Sequence, residues 1–135
     1  MSNLSAFLNP VNTEETREVV ISQRFQDENG FPVPFVIRPI SQEENERITK
    51  RATRTVKVNG QPVEKLDSLE YGRRMVVAAT ESPNFASEEL CVKYGTRDPL
   101  EVPPRMLLVG EYAKLSMAIM ELSGLNDDVE GQAKN

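Results

Sequence analysis

Apolar and polar positions alternate over residues 17–26. Val19, Ile21 and Phe25 fall on one face; Val20, Ser22 and Arg24 fall on the other. A period of two predicts a strand. Asp27-Glu28-Asn29-Gly30 follows, and Asn-Gly suits the positive φ angles of a two-residue hairpin turn. The return, Phe31 to Arg38, places Val33, Phe35 and Ile37 on one side. Pro32 and Pro34 lack amide protons, which assigns this strand to an edge. Thr55 to Val63 repeats the pattern around Asn59-Gly60 with shorter arms.

The helical signals are of a different kind. Ser41-Gln42-Glu43-Glu44 is a capping box that opens a helix over 42–54. That helix is thin in apolar residues, with Ile48 and Ala52 after Ile40, and it carries Arg47, Lys50, Arg51 and Arg54 on its other faces. Asp67-Ser68-Leu69-Glu70 is a second box, with Leu66 and Tyr71 at staple positions. The helix it opens is apolar around most of its circumference from Met75 to Ala79, which predicts the central buried helix, stopped by Ser82-Pro83-Asn84. Ser87 caps a short helix ending near Gly95, and Asp98-Pro99 opens another that Pro103-Pro104 interrupts. After the run Met106-Leu107-Leu108-Val109, a last helix lines up Tyr112, Leu115, Ile119 and Leu122, widened by Met117, Ala118 and Met120, and ends at Gly124. The start carries a helically spaced cluster, Leu4, Ala6, Phe7 and Leu8, too short to stand alone. It is expected to dock on the chain's own core or on a neighbouring subunit. The fold class expected is α+β: N-terminal antiparallel hairpins (about 17–63) packed on a mainly helical part (about 64–124). Residues 1–125 form one domain and 126–135 a flexible tail.

About a quarter of the 135 residues are Leu, Ile, Val or Phe, enough for a modest core. Mean hydropathy is -0.45 and the pI about 4.9. The net charge of -5 is unevenly spread. A basic middle, residues 47–74, lies between acidic ends, which suits self-association or an acidic protein partner and disfavours nucleic acid. Histidine is absent, which removes His-based dyads, triads and most zinc sites. Cys91 is the single cysteine and reads as a small core residue, since no histidine can activate it. No glycine motif that cradles phosphate occurs, and no run of about 18 apolar residues could span a membrane. Met1 to Leu8 lacks the basic start and long apolar stretch of a secretion signal. The expectation is a soluble intracellular protein without catalytic residues, cofactor or metal.

The apolar run and the stripe beyond it exceed what one small core needs. Met106, Leu107, Leu108, Tyr112, Leu115, Ile119 and Met120 are therefore the candidate partner-binding residues. Arg47, Lys50, Arg51 and Arg54 are candidates for self-association or charged contact.

Several segments occur together in a familiar order: Leu4-Ser5-Ala6-Phe7-Leu8; Arg24-Phe25 with Asp27-Glu28-Asn29-Gly30; Arg38-Pro39-Ile40 with Glu43-Glu44; Tyr94-Gly95; and Gly110-Glu111-Tyr112-Ala113-Lys114-Leu115. Over roughly residues 2–125 the chain resembles the XkdN-like tail assembly chaperones of Gram-positive phages and defective prophages. The resemblance implies a non-enzymatic chaperone that binds and solubilises the tape measure protein and recruits tail tube subunits. It implies a homo-oligomer in the host bacterial cytoplasm that leaves before the virion matures. Relatives are often made in a short and a frameshift-extended form, and Lys134-Asn135 is compatible with a slippery run. Two alternatives stand beside this reading: a structural tail or head–tail completion protein kept in the virion, and a small nucleic-acid-binding regulator.

Overall fold

The computed structural model describes residues 3–11 and 15–125. Its elements are α1 (Leu4–Leu8), β1 (Arg17–Val19), β2 (Phe35–Ile37), α2 (Gln42–Arg51), β3 (Thr53–Val58), β4 (Gln61–Leu66), α3 (Ser68–Ala79), β5 (Thr80–Ser82), α4 (Glu88–Lys93), α5 (Val102–Met106) and α6 (Val109–Leu122). A 3-10 turn, Pro99–Glu101, precedes α5. The architecture is α+β, with antiparallel strands toward the N-terminus and helices toward the C-terminus, as expected.

The two hairpins differ from their expected lengths in opposite directions. The first pairs only Arg17–Val19 with Phe35–Ile37, plus an isolated bridge between Gln26 and Pro32. Its turn is not the two-residue kind. The Asp27 carboxylate accepts from Asn29 N (2.8 Å) and Phe31 N (3.0 Å), and Gly30 alone takes positive φ, +84°. That is a three-residue loop closed by a left-handed glycine. The second hairpin does use the two-residue turn, with Asn59 at φ 52° and Gly60 at 80°. Its ladder is longer than expected and runs unbroken from Thr53↔Leu66 to Val58↔Gln61.

β5 was not expected. Residues 80–82 leave α3 in extended form and pair with β2, completing a sheet ordered β1-β2-β5. The core lies between this sheet and α3, α5 and α6. Ile37, Val76, Phe85, Val102, Pro103, Leu115 and Ile119 are its fully enclosed large side chains. Each such aliphatic contributes about 1.5–3 kcal/mol on burial. The Phe25 and Phe35 rings meet at a 50° tilt with centroids 5.6 Å apart, and Cys91 is interior.

Three further expectations are corrected. α2 ends at Arg51, so Arg54 sits on β3 rather than on the helix. Pro103 and Pro104 do not interrupt a helix; they lie in the first turn of α5, where their missing amides have no intrahelical partner to lose. Ser87 holds the N-cap position of α4, but its side chain makes no cap bond. The two capping boxes form by half. Ser41 Oγ accepts from Glu44 N and the Asp67 carboxylate from Glu70 N, each at 3.1 Å. The reciprocal carboxylates are engaged elsewhere: Glu44 accepts a two-pronged pair from Arg38 (2.9 and 2.7 Å), and Glu70 pairs with Arg54 and Arg74.

Candidate functional site

Of the seven apolar candidates, Met106, Leu107, Leu115 and Ile119 are interior and Tyr112 is half-buried. The stripe Tyr112-Leu115-Ile119-Leu122 is the face by which α6 packs on the rest of the molecule. Leu108 (60% exposed) and Met120 (37%) remain open to solvent.

The pattern hid a second stripe. Val109, Ala113, Met117 and Met120 stand at i, i+4, i+8 and i+11, within roughly a quarter turn of one another on α6. They lie away from the packed face. Val109 is 90% and Met117 63% exposed. The helix is thus apolar on two sides, and among the described residues only one of them is covered. The spacing was readable in the sequence, but the inner stripe claimed the same residues' neighbours and absorbed the signal.

This outer stripe borders a groove of about 700 Å³ between β1 and α6. Val19, Val20, Ala113, Met117 and Ala118 supply its apolar lining, and Arg17, Glu18, Lys114 and Glu121 its charged rim. Arg17 Nη1 lies 3.5 Å from Glu121 Oε1, linking β1 to the end of α6. A rim of both signs around an apolar floor suits an amphipathic segment better than a free anion or cation. α1 resembles the groove in being uncovered. It contributes no buried side chain, and Phe7 and Leu8 are exposed.

One ion pair, between a partly exposed Arg24 and an interior Glu111, fixes the start of α6. Arg24 grips Glu111 through Nε (2.8 Å) and Nη2 (2.5 Å), and Nη2 also donates to the Met106 carbonyl at 3.0 Å. Glu111 Oε1 in turn accepts from Leu108 N at 2.7 Å, closing the first turn of the helix. The Arg24 guanidinium sits 4.9 Å above the Phe25 ring. The Arg24 pair, with help from Ser22 and the Leu108 amide, outweighs burial and holds the Glu111 carboxyl down to about 2. Residues 20–34 are thereby tied to the α5–α6 junction rather than extended into a longer ladder.

The basic candidates divide. Arg47, Lys50 and Arg51 are exposed on α2; Arg47 pairs with Glu43 one turn away, a contact worth little at the surface. With Arg74, Arg47 and Arg51 rim a groove of about 200 Å³ floored by Ile48, Val77, Ala78 and Leu100. Arg54 donates to the Arg51 carbonyl at 2.6 Å and pairs with Glu70, so it ties the ribbon to α2 and α3. Among the described residues no group of three or more His, Cys, Asp or Glu side chains could hold a metal ion, and no helix is long and apolar enough to cross a membrane.

A profile of the phage XkdN-like tail assembly chaperone proteins matches residues 4–134. The chain belongs to this family. It is 38% identical to the phage-like element PBSX protein XkdN of Bacillus subtilis (strain 168), over 96% of this chain and 93% of the relative. It is 40% identical to YqbN of the same strain, over 93% and 87%. The crystal structure of YqbN superposes with a TM-score of 0.73 at 35% identity, covering 92% of this chain and 98% of that one. Membership makes the chain a phage tail assembly chaperone, which acts in the host cell on protein partners of the phage tail. Several of the residues that carried the resemblance serve the fold. Arg24 meets Glu111, Arg38 meets Glu44, and Arg105 Nη1 donates to the carbonyls of Tyr94 (3.0 Å) and Gly95 (2.7 Å), closing the end of α4.

Proposed function

We propose that the groove between β1 and α6 receives an amphipathic helix of the tape measure protein, and that the chaperone keeps this long client soluble until tube subunits replace it. The observation that carries the reading is the uncovered outer stripe of α6, with Val109, Ala113 and Met117 beside an apolar groove rimmed by both charges. Methionine suits a client whose successive helical turns differ, because its unbranched side chain adapts to varied surfaces. Many copies along one rod gain by avidity, so each contact can be weak enough to yield to the polymerising tube. The proposal revises the expected binding residues: Leu108 and Met120 stay in the surface, Val109, Ala113 and Met117 join it, and the interior residues support it from behind. The reading needs no catalytic residue and no cofactor. It places the protein in the bacterial cytoplasm and outside the mature virion. The expected frameshift signal at Lys134-Asn135 lies outside the described residues.

Co-expression tests it. A tape measure fragment is expected to be soluble with the wild-type chaperone, and insoluble alone or with Met117→Asp. Equal solubility in all three cases refutes the groove. Mass spectrometry of purified particles distinguishes the retained-component alternative: the chaperone is expected to be missing, whereas a fixed copy number overturns its release.

A further inference from the structure

The ribbon β3–β4 is a sheet of two strands that no other strand of the described chain joins. Its side chains are exposed along nearly its whole length. Such a ribbon is marginal in water by itself. Its two edges are not equivalent. In an antiparallel pair, successive residues point their backbone groups alternately at the partner strand and away from it. The two-residue turn makes Val58 and Gln61 a hydrogen-bonded pair, and the 2.8 Å bond from Asp67 N to the Ala52 carbonyl confirms the same parity at the other end. Arg54, Val56 and Val58 therefore bond toward β4, while Thr53, Thr55 and Lys57 point their amides and carbonyls outward.

On β4 the outward positions are Pro62, Glu64 and Leu66, opposite Lys57, Thr55 and Thr53. Pro62 has no amide proton, so it blunts that edge. The β3 edge carries no proline. The Thr53 carbonyl receives an Arg54 nitrogen at 3.3 Å, which leaves its second lone pair for another donor.

We infer that the outer edge of β3 is a pairing site for β3 of a second copy, joining two ribbons into a four-stranded antiparallel sheet ordered β4-β3-β3-β4. The edge is self-complementary about Thr55. Thr55 meets Thr55, and Lys57 of one copy meets Thr53 of the other, which gives about six main-chain hydrogen bonds. No two like charges fall directly opposite: Lys57 faces a threonine and Arg54, already paired with Glu70, faces a valine. A twofold axis normal to the sheet puts Val56, Val58 and Val63 of both copies on one side. One open edge and one blunted edge favour a closed pair over an open filament. The inference is independent of the client groove, which lies on other elements.

Sedimentation without any client tests it. The wild type is expected to run as a dimer across the micromolar range, Thr55→Val likewise, and Thr55→Pro as a monomer of unchanged circular dichroism, since the lost amide faces away from β4. Thr55→Cys is expected to cross-link on oxidation, whereas Glu64→Cys on the blunted edge does not. Amide exchange supplies a readout without substitution: Thr55 and Lys57 amides are slow when paired and become fast on dilution to monomer. A wild-type monomer, a Thr55→Pro dimer, or fast Thr55 exchange at high concentration overturns the proposal.

Discussion

The chain contains two Asn-Gly turns between alternating segments, and they meet different fates. Around Asn59-Gly60 the local pattern is obeyed in full: the turn takes two left-handed residues and the ladder runs for six residue pairs, almost without tertiary support. Around Asn29-Gly30 the pattern is overridden. Arg24 is drawn to Glu111, the paired strands shrink to three residues each, and an Asx-stabilised loop replaces the tight turn. A hairpin signal therefore reports what the segment can do alone. What it does depends on whether a nearby charge has a stronger long-range partner.

This contrast can be broken by substitution, and the largest effects belong to the anchored half. Leu115→Ala, behind the groove, is expected to lower unfolding free energy by about 3 kcal/mol in urea titrations. Val56→Ala on the ribbon is expected to cost less than about 0.5 kcal/mol. Glu111→Ala removes an interior acceptor of charge-assisted bonds and the closure of the α6 first turn, and should cost about 2 kcal/mol. Its pH signature follows from the depressed carboxyl. The stability it contributes is present above the ordinary value of 4.5 and is lost as pH falls toward about 2. Acid titration of wild type should show that loss, and Glu111→Gln should flatten it. The smallest pair sharpens the comparison most. Gly30 and Gly60 both hold positive φ with open space where a Cβ would sit. Alanine at either position costs roughly 1 kcal/mol of backbone strain. Gly30→Ala should lower the global midpoint, because its loop is tied to α6. Gly60→Ala should leave that midpoint in place and speed amide exchange only within 53–66.

Much of the fold was legible for local reasons. The N-caps at Ser41 and Asp67, the left-handed Gly95 and the helical apolar repeat of α6 each follow from neighbouring residues alone. What escaped depends on distant partners. β5 is three residues that no alternation could reveal, held by β2 from more than forty positions earlier. Pro103 and Pro104 read as breakers until the 3-10 turn before them placed them in a first turn. The site was half legible. The surplus of apolar residues on α6 was visible, but which side faced solvent was not, because two stripes share one helix and only packing against α3 and the sheet decides between them.

The most direct test of the central claim is the affinity of a single-site tape measure helix for the purified chaperone, measured by titration calorimetry against three proteins. The account predicts that Met117→Asp weakens binding at least about tenfold, the loss of one well-packed contact. It predicts that Val56→Asp on the ribbon binds as wild type does. Undiminished affinity of Met117→Asp, or loss confined to Val56→Asp, would contradict it.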